Sequence, residues 1–336
     1  MPCSEPRGAA MRRREFIKLL SGAVAGWPIG TSAQQSTPPV VGFLHSGPES
    51  QSQQLIGFRK GLGETGFVDG RNISIQYRFA EGHYDRLPAM VSDFVTQHVA
   101  VLAVGGGVQT ALAAKSASGA IPVVFANGSD PVKFGLVERL NRPGGNMTGV
   151  SFFTATLETK RLGLLSELVP AARSFGILVN PKNETAEDQL KDIARGALTL
   201  GRPIIILKAT DTREIEAAFE AFAQQRIDAL LVASDPYFNG ERKNIVSLAA
   251  RYKLPAIYEW REFAQAGGLA SYGTNLVDSY RLAGVYVGRV LKGEKPATLP
   301  VVQASKFEFV INLKTAKTLG LTVPPGPLSA VDEVIE

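Results

Sequence analysis

Residues Ile121–Phe153 read IPVVFANGSDPVKFGLVERLNRPGGNMTGVSFF, and the order of textures in this stretch decides the fold. Ile121–Ala126 is an unbroken apolar run rich in β-branched and aromatic residues, as expected of a strand buried on both faces. A polar turn follows (Asn127, Ser129, Asp130, Pro131). A short helix is then expected over Val132–Leu140, a Pro143-Gly144-Gly145 turn after it, and a second strand over Met147–Phe152. Small polar groups just past the end of a buried strand are what an open α/β sheet presents to a ligand.

The same grammar extends in both directions. Upstream, strands are expected at Val40–Leu44, Ile73–Arg78 and Ala100–Val104, with helices at Gln51–Glu64, Tyr84–His98 and Val108–Ser118. Downstream, strands at Ser174–Val179, Pro203–Lys208, Ala229–Ala233, Ala256–Tyr258 and Gly268–Tyr272 alternate with helices at Leu157–Leu168, Glu184–Leu200, Thr212–Gln225 and Gly240–Tyr252. This is βαβ alternation written twice, the pattern of two Rossmann-like α/β lobes with parallel sheets. One amphipathic helix (Leu276–Leu291), one strand (Phe307–Ile311) and a last helix (Leu313–Leu319) are left over once each half has its sheet. The economical solution is a chain that crosses between lobes three times, near Phe153–Thr156, Thr274–Asn275 and Val301–Ser305. The N-terminal lobe then comprises 38–153 plus 275–302, and the C-terminal lobe 154–274 plus 303–336. A three-strand hinge of this kind permits closure around a ligand.

Residues 1–33 are excluded from this accounting. Arg13-Arg14-Glu15-Phe16-Ile17-Lys18, a mildly apolar Leu19–Ile29 and the small residues Thr31-Ser32-Ala33 resemble a twin-arginine export signal. The apolar stretch is too short and Gly-rich for a stable span, which takes about 20 residues. Removing five basic and two acidic residues from totals of 36 and 31 leaves 31 and 29, a net of +2. With the basic residues scattered, a nucleic-acid partner is not expected. The single cysteine, Cys3, goes with the leader, so no disulfide, thiolate nucleophile or lipid anchor is expected. His45, His83 and His98 have no second ligand at metal spacing, and neither metal nor cofactor is implied.

At this point the residues carry a family resemblance. DPVKFGLVERLNRPGGNMTGVSF (130–152) resembles the central signature of the tryptophan/tyrosine-type ABC-transporter substrate-binding proteins, which have the type I periplasmic-binding fold. VVGFLHSG (40–47), GLGETGFVDGRNISIQYRFAEG (61–82), ALLVASDPYF (229–238) and FEFVINLKTAKTLGLTVP (307–324) resemble the same family in the same order. The resemblance implies a monomeric, exported receptor that hands a small organic molecule to a membrane permease driven by an ATPase. It leaves the solute open, and Tyr258-Glu259-Trp260 departs from the aromatic-amino-acid members.

Strand ends give the site independently of the family. In the first lobe they are His45 and Ser46, then Gly105, Gly106 and Gly107 with Gln109, then Asn127, Ser129 and Asp130; in the second, Asn180, Asn183, Ser234, Asp235, Tyr237, Glu259, Trp260 and Tyr272. Three glycines opening a helix let backbone N–H groups approach a carboxylate at the positive end of the helix dipole; the bland reading is a tight turn. GGGVQT (105–110) lacks dinucleotide spacing, and no Walker lysine follows. Asp130 and Asp235 each precede a proline and can accept from a ligand ammonium or cap the following turn. Tyr237 offers aromatic surface or lobe core. Asn180 and Asn183 suit a zwitterion or an ordinary turn. Glu259, between two aromatics, needs a partner if buried: a ligand amine or a nearby arginine. The expected ligand is amino-acid-like or an aromatic carboxylate. Without a cysteine, a G-x-S-x-G elbow or a nucleotide loop, an enzyme is not expected. A sensor domain that docks on a membrane receptor remains the alternative, since both use the same closure.

Overall fold

Val40–His45 forms β1, and its alternation sets the layers. Val41 and Phe43 join one buried cluster while Leu44 joins another, so the strand is covered on both faces. The computed structural model describes Met1 and residues 38–49, 52–152 and 157–336; the leader and the first expected crossing at Phe153–Thr156 lie outside them. Residues 38–336 hold two α/β sheets. The first carries β2 (Ser74–Phe79), β3 (Val101–Gly105), β4 (Val123–Asn127), β5 (Met147–Ser151) and β11 (Val302–Gln303), in the order β11-β5-β4-β3-β1-β2, every pairing parallel. The second carries β6 (Phe175–Val179), β7 (Ile204–Lys208), β8 (Ala229–Val232), β9 (Ala256–Tyr258), β10 (Ala270–Thr274), β12 (Phe307–Asn312) and β13 (Glu333–Ile335), in the order β13-β12-β10-β9-β8-β6-β7. Here β12 runs antiparallel to β10, the one departure from parallel pairing among the described strands.

Both sheets reverse their winding after the first strand, between β1 and β3 in one lobe and between β6 and β8 in the other. The crevice of an open α/β sheet opens at such a switch point, so the ends of β1, β3, β6 and β8 are where ligand groups belong.

Helices α1 (Ser52–Glu64), α2 (Leu87–Thr96), α3 (Val108–Ala117), α4 (Glu158–Leu168), α5 (Ala186–Leu200), α6 (Thr212–Gln224), α7 (Pro236–Gly240), α8 (Arg242–Arg251), α9 (Arg261–Gln265), α10 (Leu276–Leu291), α11 (Leu313–Thr318) and α12 (Pro325–Ala330) complete the described chain. After β10 the chain leaves the second sheet and α10 returns to the first lobe, where it lies backbone to backbone on α1. A Cβ on Gly61 would come within 1.8 Å of the Arg281 carbonyl oxygen, and one on Gly284 within 2.1 Å of the Phe58 carbonyl. These glycines let Phe58, Leu62, Tyr280 and Val287 close over the sheet. The chain then adds β11 to the first sheet and crosses back into β12.

One expected helix takes a different form. Val132–Leu140 is a series of turns: Leu136 N–H donates to the Pro131 carbonyl (2.8 Å), and Gly135 at φ +64° carries the chain out of the helical path after one turn. The helix expected over Gly240–Tyr252 is α8, Arg242–Arg251, and a further short helix, α7, precedes it because Asp235 caps its first turn. Helices α9 and α12 and strand β13 were not legible as separate elements.

Candidate functional site

The β1–β3 switch point is built around a fixed imidazole and a glycine turn. His45 is 1% exposed, and its Nδ1 accepts from Gly47 N–H at 2.9 Å, which leaves the hydrogen on Nε2. Burial lowers its pKa to about 4 against the opposing effects of Gly47 and Gln54, so the ring is neutral near pH 7. Gly106 and Gly107 have φ of +78° and +107°, and a Cβ on Gly106 would sit 2.5 Å from Ser46 Oγ. Ser46 Oγ donates to the Gly106 carbonyl, while Gly106 N–H donates to Tyr280 Oη at 3.1 Å. The turn delivers the chain into α3, whose first N–H groups have no intrahelical partner.

Asn127 and Asp130 serve the next turn. Asn127 Oδ1 accepts from Ser129 N–H (3.0 Å); Asp130 Oδ1 accepts from the N–H groups of Val132 (2.9 Å) and Lys133 (3.2 Å). The capping alternative is therefore the one the Asp130 geometry adopts.

In the second lobe the Asp235 carboxylate is 3% exposed and accepts from Asn180 Nδ2 (3.2 Å), Asn183 Nδ2 (3.0 Å) and Phe238 N–H (2.9 Å). Burial raises its pKa to about 6 despite these three donors. The Ser234 carbonyl accepts from Gln189 Nε2 (2.6 Å) and Asn183 Nδ2 (3.1 Å). Beneath this loop lies a fully buried ion pair, Glu158–Arg161 at 2.7 Å, with Glu158 Oε1 accepting from Ser234 N–H (3.0 Å) and Arg161 Nε donating to the Tyr272 carbonyl (2.8 Å).

Between the lobes is a half-open cleft with a cavity volume of about 60 Å³, within about 490 Å³ when space open to solvent is counted. Of the residues read from strand ends, His45, Gly106, Gly107, Ser129, Asn183, Ser234, Glu259 and Trp260 line it. The others do not. Ser46, Asn127, Asp130, Asn180 and Asp235 hold the turns behind the wall. Gln109 crosses the mouth to donate to the Lys182 carbonyl (3.3 Å), Tyr237 Oη meets Thr212 Oγ1 (3.1 Å), and Tyr272 stacks on Phe307 (6.1 Å, 14°). The structure adds Gln54, Phe152, Thr185, Asn239 and Tyr280 to the wall. Phe152 closes the second strand of the quoted stretch and had a signal; Gln54 and Tyr280 project from helices, which the strand-end rule does not survey.

The lobes touch across the mouth. Lys133 Nζ pairs with Asp188, Pro236 lies against Gly107, and Pro48 lies against Gly240.

Two facing switch points over one cleft, joined by chain crossings, define the site, and the whole of it falls within residues 43–335, which match the family model for ABC transporter substrate binding protein. The chain belongs to that family. It is 27% identical over 327 residues to the Tyrosine-binding protein of Clostridioides difficile (strain R20291), covering 93% of this chain and 94% of the relative. Among solved structures it is similar to an ABC domain from Streptococcus pneumonia in complex with L-Trp (27% identity, TM-score 0.81, 89% and 100% covered). It is less superposable on the ligand-free, open structure of a substrate binding protein with adhesive properties from Clostridium difficile (25% identity, TM-score 0.64, 88% and 99% covered). The difference agrees with lobes that meet here across the mouth. Fold and family point to a binding protein of the type I periplasmic-binding class and not to an enzyme.

Proposed function

We propose that this protein is the exported, extracytoplasmic solute receptor of an ABC uptake transporter, and that it presents an amino-acid-like zwitterion to a membrane permease. The observation that carries the reading is the charge layout of the cleft. Glu259, 5% exposed, is the one carboxylate among the described lining residues, and none of those lining residues is a lysine or an arginine. Facing it, the first lobe offers donors: the neutral His45, the opening N–H groups of α3 and the hydroxyls of Ser129 and Tyr280. A ligand ammonium belongs at Glu259 and its carboxylate at α3, where the helix dipole favours an anion. A dianion meets Glu259 unfavourably, whereas a ligand ammonium is attracted to it.

Binding bridges the two lobes, which move as 38–153 plus 275–302 against 154–274 plus 303–336. The Tyrosine-binding relative and the L-Trp complex support an amino acid as the ligand class, within the tryptophan/tyrosine-type branch. The receptor works as a monomer, and its first 33 residues direct export.

The test is a thermal-shift screen of refolded protein against amino acids, aromatic acids, amides and sugars. A micromolar ligand at millimolar concentration stabilises the fold by about 4 kcal/mol, a shift of several degrees at about 2–4 °C per kcal/mol. Glu259→Gln removes a charge-assisted contact of about 1.5–3 kcal/mol and is expected to weaken the hit at least tenfold. Stabilisation by sugars alone, or an unchanged affinity in Glu259→Gln, refutes the zwitterion reading.

A further inference from the structure

A second cavity lies within the second lobe, away from the cleft. It is half-open, has a volume of about 190 Å³ and shares no lining residue with the cleft; about 150 Å³ is room enough for benzene. Its wall is built by α8, β9, the turn at 267–269 that leads into β10, and α11. Buried Ala249, Leu254, Ala256 and Leu269 make that wall mostly apolar. Neither an aspartate nor a glutamate is among the described lining residues, whereas two exposed lysines are, Lys253 and Lys314. Lys314 Nζ also donates to the Glu336 carbonyl (3.2 Å). At the floor stands Tyr258. Its side chain is 0% exposed, its ring stacks on Phe263 (4.6 Å, 11°), and its hydroxyl has no hydrogen-bond partner among the described residues. Burial pushes the Tyr258 pKa up, so at neutral pH the group is a phenol and a donor. Buried hydroxyls are rarely left unpaired in a folded protein. The threonine hydroxyls on the same wall are satisfied: Thr315 Oγ1 donates to the Gly267 carbonyl (2.8 Å) and Thr318 Oγ1 to the Lys314 carbonyl (2.9 Å).

We infer that this cavity is a second small-molecule site, which takes a single-ring carboxylate carrying an acceptor oxygen at the far end of the ring. The apolar wall covers the ring, the two ammonium groups at the rim attract the carboxylate, and the far oxygen accepts from the Tyr258 hydroxyl. A cation of the same size meets the lysines unfavourably. Ala256 and Tyr258 share one face of β9, and the next two residues, Glu259 and Trp260, line the cleft. An occupant of the cavity therefore rests on the strand that carries part of the cleft wall. Nothing in this site depends on which solute the cleft holds.

The probes are 4-hydroxybenzoate, benzoate and benzylamine, titrated by calorimetry into the full chain and into its Tyr258→Phe and Lys253→Asn variants. Lys253 has φ +52°, a conformation that asparagine tolerates, so that variant loses the charge and keeps the turn. Tyr258→Phe removes a hydroxyl with no protein partner and is expected to unfold in urea at or above the parent's midpoint. The parent is expected to bind 4-hydroxybenzoate about three- to tenfold more tightly than benzoate, the scale of one neutral hydrogen bond. Tyr258→Phe is expected to lose that preference while still binding benzoate. Lys253→Asn is expected to weaken both acids about threefold, the scale of an exposed charge pair. Benzylamine, of opposite charge, is expected to bind the parent about tenfold more weakly than benzoate, or weaker still. The inference is overturned if neither acid shows saturable binding to the parent. It is equally overturned if Tyr258→Phe keeps the preference for 4-hydroxybenzoate, or if Lys253→Asn binds both acids as the parent does, since the acids then sit elsewhere on the protein. A Tyr258→Phe variant less stable than the parent also overturns it, because the hydroxyl is then satisfied from within the fold.

Discussion

Between pH 4 and 6.5 two buried groups of this protein pull stability in opposite directions. The His45 pKa is lowered from 6.5 to about 4 by burial, so the unfolded chain binds the proton that the folded chain refuses. Its contribution is fully present above about pH 6.5 and is lost as pH falls through the window toward 4. The Asp235 pKa is raised from 3.8 to about 6, also by burial, so there the folded chain binds the extra proton. Its contribution is fully present below about pH 3.8 and is lost as pH rises through 6. Each displacement corresponds to about 3 kcal/mol at about 1.4 kcal/mol per decade, and the windows overlap, so the two slopes largely cancel. Single substitutions unmask them. In Asp235→Asn, which keeps the N-cap, stability relative to the parent rises by about 3 kcal/mol from pH 4 to pH 6.5. In His45→Asn, whose Oδ1 can take the place of Nδ1 toward Gly47 N–H, it falls by a similar amount over the same range. The assay is urea unfolding at half-unit pH steps, read as the difference from the parent so that other titrations drop out. Differences from the parent that stay flat within about 0.5 kcal/mol for both variants refute the reasoning, as does a slope of the wrong sign in either.

Two further substitutions test the frame around the cleft. Because Glu158 and Arg161 are both fully buried, Arg161→Met alone is expected to cost about 3–5 kcal/mol, whereas Glu158→Leu with Arg161→Met recovers most of it; additive costs in a double-mutant cycle contradict a coupled pair. Gly284→Ala places a methyl 2.1 Å from the Phe58 carbonyl and is expected to lower stability by about 1–3 kcal/mol through forced separation of α10 from α1, despite alanine's better helix propensity; a midpoint at or above the parent's in urea unfolding argues against that close contact.

The sequence disclosed most where burial is two-sided. Strands such as Phe175–Val179 and Val123–Asn127 are covered on both faces, so they stand out as apolar runs, and the switch points follow from their order. Helix boundaries were less legible where a cap overrides periodicity: Asp235 starts a helix ahead of the apolar pattern, and Gly135 stops one inside it. At the site, the strand-end rule names loops of which eight residues line the cleft. It did not separate side chains that face the cleft from those that hold the turn, because Asn, Asp and Ser suit both tasks. Asn180 and Asn183 differ by three positions, yet the first holds Asp235 and the Lys182 N–H behind the wall while the second also reaches the wall. Tyr280 carried no signal at all, since its place depends on α10 returning to the other lobe.

That division of labour bears on how ligand choice is built into such a receptor. Asn127, Asp130 and Asp235 spend their acceptor oxygens on backbone N–H groups of their own turns. Replacing any of them by a side chain without such an acceptor releases a turn, so a change of ligand made there would also disturb the fold. Trp260 caps nothing: α9 begins after it with no side-chain cap, and its ring packs against Phe152 and the cleft. Trimming that ring enlarges the cleft without releasing a turn. The donors that would hold a carboxylate are mostly backbone, from Gly107 into α3, and stay in place whatever side chain stands at 260. A substrate-binding scaffold of this kind can thus keep its turns intact while a single position, 260, alters the wall of its cleft.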